Sequence, residues 1–302
     1  GVIERMGLGE DAVRSLKPDM IYLSISGFGK TGPHAHQRVY DPVIQALSGL
    51  ADVQRDQVTG VPRMVRTIIC DKTTALTAAH AITTALFHRE RTGEGQTMDL
   101  AMLDTMVGFL WPETMGSLSF VGKEQDPAHS QKSPDLVFKT LDGYITAGAN
   151  SNSEWEGMCN ALNRPDLICD PRFKTAQARS ENISQRREIM SDEIATWVSE
   201  EILGRFDSEG VASAPILPRV DLINSPHIVD NNILNVINDE TLGDVRVPRP
   251  PVQYSGKPTP TTKLAPFQGA DNQELMLELG YKNTEINQYV RDGILHQPIV
   301  AD

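Results

Sequence analysis

Apolar and polar positions along this chain keep two different periods. Met20 to Ile25 is a short, mainly apolar run that predicts a buried strand, ending in a glycine-rich loop. Lys72 to Arg91 carries the strongest helical pattern. It is rich in Ala, with small or apolar residues on nearly every side, which predicts a buried helix. His88, Arg89 and Arg91 suit the negative end of its dipole, and Gly93 suits a left-handed cap. Asp11 to Leu16, stopped by Pro18, predicts a shorter helix, as does 42–50 with Pro42 in its first turn. A strand over 96–100 leads into an apolar helix over 101–111.

The texture changes over 112–135, where Pro, Gly, Lys, Gln and Ser predict a linker. Beyond it the pattern predicts a strand over 143–147, a helix over 153–162 and a polar helix over 181–203. A short strand over 211–217 leads to a helical turn from Asp221. The proline-rich stretch 243–267 predicts an extended crossing, followed by short helices at 271–279 and 284–291. Strands alternating with helices place the chain in the α/β class.

Composition narrows the function classes. A net charge of −12 argues against a general nucleic-acid surface, although a polyanionic ligand needs only a few local basic groups. Three cysteines, Cys70, Cys159 and Cys169, do not make a disulfide framework and point to a reducing, cytoplasmic setting. No C-x-x-C or H-E-x-x-H pairing occurs, so no metal is expected. No apolar run is long enough to suggest a membrane span, and no signal-peptide pattern is present. The chain opens at Gly1 and enters a helical pattern at once, as though it starts in mid-fold.

Two stretches carry candidate chemistry. In IYLSISGFGKTGP, Gly27, Gly29 and Gly32 match G-x-G-x-x-G, and Gly29-Lys30-Thr31 resembles the end of a P-loop. The P-loop needs a Gly where Ser24 stands, and both motifs need a helix to open where Pro33 follows. The predicted alternative is a strand end and loop, a common place for ligands in open α/β sheets. In TIICDKTT, Asp71 stands at the start of the long helix. It can be an N-cap. Equally, a carboxylate ionised at the positive end of a helix can serve as a nucleophile on an acyl carbon. The local residues leave both readings open. Cys70 beside it reads as a small buried residue.

The wider succession GVIERMGL, LKPDMIYLSISGFGKTGP, VYDPVIQALSGL, HRERTGEGQTMDLAMLD, NRPDLICDPRF and GDVRVPRPPVQYSG resembles the class III CoA-transferases. That family includes formyl-CoA transferase, carnitine CoA-transferase and the α-methylacyl-CoA racemases. The resemblance runs in order from residue 1 to about 295. It implies acyl-CoA:carboxylate CoA-transfer with coenzyme A as part of the substrate, a small carboxylic acid as second substrate, and an interlocked homodimer. Asp71 falls at the family's catalytic aspartate, which forms a mixed anhydride and then an aspartyl-CoA thioester. Val2, Arg5 and Met6 match the stretch lining the CoA site, and Arg38 matches a residue meeting the CoA phosphates. Tyr40 and Asp41 fall in the substrate pocket, at a pair that reads His-Asp in the racemases. A tyrosine, with an ordinary pKa of about 10, suits proton exchange poorly and favours transfer over racemisation.

The resemblance further implies a Rossmann-like large domain over 1–111, a linker over 112–130, a small α/β domain over 131–225, and a segment 226–302 returning to the large domain. Family members carry about a hundred further N-terminal residues, the size of a missing part of a doubly wound domain. The glycine-rich lid of some members has no counterpart in 126–137, which lacks Gly. Two alternatives to transfer are an acyl-CoA racemase or epimerase and a truncated, non-catalytic CoA-binding or oligomer subunit.

Overall fold

The computed structural model describes residues 2–56, 59–125, 135–256 and 264–296. The chain divides into two compact units, 1–134 and 135–302.

The first unit runs α1 (Val2–Arg5), α2 (Glu10–Leu16), β1 (Tyr22–Ser26), α3 (Asp41–Leu47), α4 (Leu50–Val53), α5 (Ile69–Thr92), β2 (Thr97–Ala101) and α6 (Met102–Thr114). β1 and β2 pair in parallel, from Tyr22 opposite Thr97 to Ser26 opposite Ala101. Parallel neighbours need a crossover, and α3, α4 and α5 lie in it. α2 is tied to the pair through Thr97, whose hydroxyl receives Arg14 Nη1–H at 3.1 Å and donates to Glu10 Oε1 at 2.5 Å. The core behind the strands is Ile44, Leu50, Cys70, Met102, Met106 and Leu110, with Phe28, Val39 and Ile69 packed against it. Each fully buried Leu, Ile or Met contributes about 1.5–3 kcal/mol.

α5 ends as its sequence predicts. Gly93 takes φ 77° and donates its N–H to the Arg89 carbonyl. Two expectations need correction. Burial of α5 is confined to one stripe, Cys70, Thr74, Ala78 and Ala85, while Leu76, Leu86 and Phe87 are exposed. Small residues at this spacing let α6 and β2 approach one side, and a uniform composition cannot show which side. The helix expected over 42–50 is α3, which stops at Leu47, and Gly49 at φ 88° precedes the separate short helix α4.

The second unit holds an antiparallel sheet in the order β3 (Val137–Lys139), β4 (Tyr144–Gly148), β5 (Ala212–Pro215). Around it lie α7 (Asn152–Ala161), α8 (Ala176–Glu181), α9 (Ile183–Ile194) and α10 (Ser199–Ser208). α7 opens on a capping box between Ser151 and Glu154. The core includes Phe138, Ile145, Trp155, Met158, Phe173, Ile202 and Phe206. The single polar helix expected over 181–203 is broken. Asp142 Oδ1 accepts both the N–H of Ser199, at 2.8 Å, and its hydroxyl, at 2.7 Å, so a new helix starts there. After α11 (Pro226–Asp230), β6 (Leu234–Asp239) pairs in a hairpin with β7 (Gly243–Pro248), which takes up the first residues of the stretch 243–267 expected as an extended crossing. α12 (Asn272–Glu278) and α13 (Asn283–Arg291) follow. Most of the Gly-free stretch in which no glycine-rich lid was expected, 126–134, lies outside the described residues.

Candidate active site

The start of α5 is built by α3. Ile68, at the N-cap position, offers no side-chain bond to the free N–H groups of the first turn. Asp41, the first residue of α3, supplies it from 29 residues away: its Oδ2 accepts the Cys70 N–H at 2.7 Å. The same oxygen accepts the Asp71 N–H more weakly, at 3.4 Å. Asp41 is only 4% exposed. Its other oxygen accepts from Gln45 Nε2 at 2.5 Å. Gln45, itself buried, donates to the Val65 carbonyl at 3.1 Å and accepts the Val65 N–H at 2.9 Å. α3 therefore holds both the first turn of α5 and the segment that leads into it.

Asp71 is the third residue of α5 and is exposed. Its carboxylate makes no hydrogen bond or ion pair among the described residues, so it is not the cap that its position allowed. Cys70 is buried, and its thiol is pushed from 9.0 to about 12, chiefly by burial and then by Asp41 and Asp71. It stays protonated near neutrality and is a poor nucleophile.

Tyr40 stands at the N-cap position of α3, 76% exposed, immediately before the buried Asp41. Arg38 is exposed and makes no hydrogen bond or ion pair among the described residues. Val2, Arg5 and Met6 lie exposed on or just after α1. Among the described residues no hydrogen bond joins them to Asp71. The structure thus brings Tyr40, Asp41 and Asp71 together by chain adjacency and the cap, and leaves Val2, Arg5, Met6 and Arg38 unlinked to them.

The glycine loop follows β1. Gly29 and Gly32 take φ 80° and 93°, and the next helix opens only at Asp41. No helix N-terminus stands at Lys30 to cradle phosphate. Lys30 Nζ instead pairs with Asp99 of β2 at 2.7 Å, which raises its pKa. Among the described residues no group of three or more His, Cys, Asp or Glu is placed to hold a metal ion. Among them, too, no helix is long and apolar enough to cross a membrane.

Solved structures share this arrangement of helices and small sheets. Rv3272 from Mycobacterium tuberculosis superposes with a TM-score of 0.77 at 26% identity, covering 90% of this chain and 73% of that one. A CAIB/BAIF family protein from Brucella suis gives 0.75 at 27% identity, covering 92% and 73%. The fold is therefore the mixed α/β fold of CaiB/BaiF proteins. The family model described as CoA-transferase family III matches residues 1–272, and the chain belongs to that family of CoA-transferase enzymes. Mouse succinyl-CoA:glutarate CoA-transferase is 31% identical, over 98% of this chain and 69% of its own length. Succinyl-CoA:mesaconate CoA-transferase of Haloarcula hispanica is 33% identical, over 89% and 67%.

Gln45 is the member of the site that the sequence did not single out. Its signal was present: Asp41 and Gln45 stand four apart on one helix, the spacing at which side chains meet. Nothing in that spacing announces the 65–67 segment as their shared partner.

Proposed function

We propose that this protein transfers coenzyme A from an acyl-CoA to a small carboxylic acid, with Asp71 as the covalent carrier. The observation that carries the reading is an exposed carboxylate, unbonded among the described residues, at the positive end of α5, the longest of the described helices. An Asp71 oxygen attacks the thioester carbonyl, the C–S bond breaks, and the CoA thiolate leaves with the electron pair. The resulting mixed anhydride is attacked at Asp71 Cγ by the thiolate, which expels the first acid as its carboxylate and leaves an aspartyl-CoA thioester. The acceptor carboxylate attacks the same carbon and expels thiolate, giving a second anhydride. Thiolate attack on the acceptor's own acyl carbon releases the new acyl-CoA and frees Asp71. No proton is gained or lost over the cycle, so no separate acid or base is required. Splitting one transfer into such steps is the advantage of a nucleophilic carrier.

Arg38 meets the CoA phosphates in this reading, a role that guanidinium geometry suits. Val2, Arg5 and Met6 line the CoA, and Tyr40 contacts the substrate acid. Succinyl-CoA as donor and a small dicarboxylate such as glutarate as acceptor are proposed from the names of the relatives. The parallel β1–β2 pair with its helical crossover supports a Rossmann-like large domain. An interlocked homodimer in the cytoplasm completes the proposal. Asp71→Asn tests it: transfer from succinyl-CoA to glutarate is expected to vanish with the fold intact, and retained transfer would remove Asp71 from the mechanism.

A further inference from the structure

Asp41 does something that a substrate-pocket residue would not, and its part in the reaction rests on the reading of Asp71 as the nucleophile. An aspartate in the first turn of a helix sits close to that turn's free N–H groups, the natural partners of a carboxylate. A carboxylate held by such bonds is a weaker nucleophile and points back along its own helix. Asp71 is in the first turn, yet its carboxylate is exposed and unbonded among the described residues. Asp41 accounts for this, because its Oδ2 already takes the Cys70 N–H at 2.7 Å and leans on the Asp71 N–H at 3.4 Å.

Asp41 is well built for that task. It is buried, so water does not compete for its oxygens. Gln45 holds its second oxygen, and Gln45 is in turn locked to both polar groups of the Val65 backbone. A second carboxylate at one helix end also repels the first. We propose that Asp41 is a positioning residue of the transfer reaction: it caps α5 in place of Asp71 and so leaves the Asp71 carboxylate unbound and directed outward. Its buried side chain is not a substrate contact.

The test compares Asp41→Ala, Asp41→Asn and Asp71→Asn in the full chain, with succinyl-CoA and glutarate as probes. Losing the cap frees two amides for the Asp71 carboxylate, so Asp41→Ala is expected to lower kcat roughly 10- to 100-fold. KM for succinyl-CoA should stay within about twofold, because ground-state binding is untouched. Asp41→Asn keeps an acceptor oxygen and is expected to recover most of the lost kcat. A wild-type kcat in Asp41→Ala, a loss confined to KM, or equal losses in the Ala and Asn variants would overturn the proposal. Activity surviving in Asp71→Asn sinks the nucleophile reading instead, and the two failures are thereby told apart. Should the Ala variant not fold, amide hydrogen exchange on the wild-type protein decides. The Cys70 amide should be protected like those of Thr73 and Thr74, and exchange at the rate of an unbonded first-turn amide would overturn the cap.

Discussion

Gly27 and Val39 pack so closely that a Cβ on the glycine would lie 2.5 Å from Val39 Cγ1 and 2.7 Å from its Cβ. Gly27 directly follows β1, and its carbonyl accepts the Leu103 N–H at 3.0 Å. The contact returns the loop after Phe28 to the strand end, which delivers Tyr40 and Asp41 to the start of α5. Because the second clash is with a Cβ, side-chain rotation cannot relieve it. Gly27→Ala is expected to destabilise the protein by about 1–3 kcal/mol, as overpacking does, and to lower transfer. An unchanged urea midpoint would mean that the two residues can part at no cost.

Buried thiols predict an alkaline limb in stability. Cys70 and Cys159 are both pushed from 9.0 to about 12, each chiefly by burial. The folded-state value is the higher one, so the contribution is complete below pH 9. It is lost as pH rises towards about 12, because the unfolded chain releases the proton first. The slope is about 1.4 kcal/mol per pH unit per thiol within that window. Cys70→Ala should lose less stability between pH 8 and 10 than the wild type, measured by urea unfolding. Equal losses would show that Cys70 ionises freely in the folded state.

Arg38 and Lys30 are both basic and exposed, but among the described residues only Lys30 of the two is paired, with Asp99. Arg38→Ala is expected to raise KM for acyl-CoA about tenfold with kcat little changed, the pattern of lost uniform binding. Lys30→Met removes a surface ion pair and should cost less than about 1 kcal/mol of stability, with a smaller effect on KM. A larger KM effect from Lys30 than from Arg38 would reverse their assignments.

Under the racemase alternative, Tyr40 would have to serve as a base near neutrality. Incubation with an α-branched acyl-CoA in deuterium oxide, without acceptor acid, should give no exchange at the α-carbon. Tyr40→Phe should retain transfer within about tenfold, since its hydroxyl has no step assigned to it in the cycle. Deuterium incorporation that Tyr40→Phe abolishes would favour racemisation.

Elements that carry their own signals were legible in the chain. β1 announced itself by its apolar run, and α5 by its composition and Gly93. What was not legible came from residues far away in sequence. α5 begins at Ile69, three residues before its apparent start, because Asp41 caps it. α10 begins at Ser199, inside an apparent single helix, because Asp142 reaches it from 57 residues away. The β6–β7 hairpin was obscured by the prolines that follow Val247, although Gly243 at φ 72° closes its turn. At the site, Asp71 was locally ambiguous between cap and nucleophile, and the cap reading is removed by Asp41, a distant residue whose Oδ2 takes the first-turn N–H groups.

Catching the covalent carrier tests Asp71 without any substitution. The protein is incubated with succinyl-CoA and hydroxylamine, which intercepts carboxyl anhydrides and thioesters, and its peptides are then weighed. Expected is a loss of activity that depends on acyl-CoA, together with a hydroxamate on Asp71. Continued turnover with Asp71 unmodified, or a hydroxamate on another carboxylate, would contradict a carrier at the start of α5.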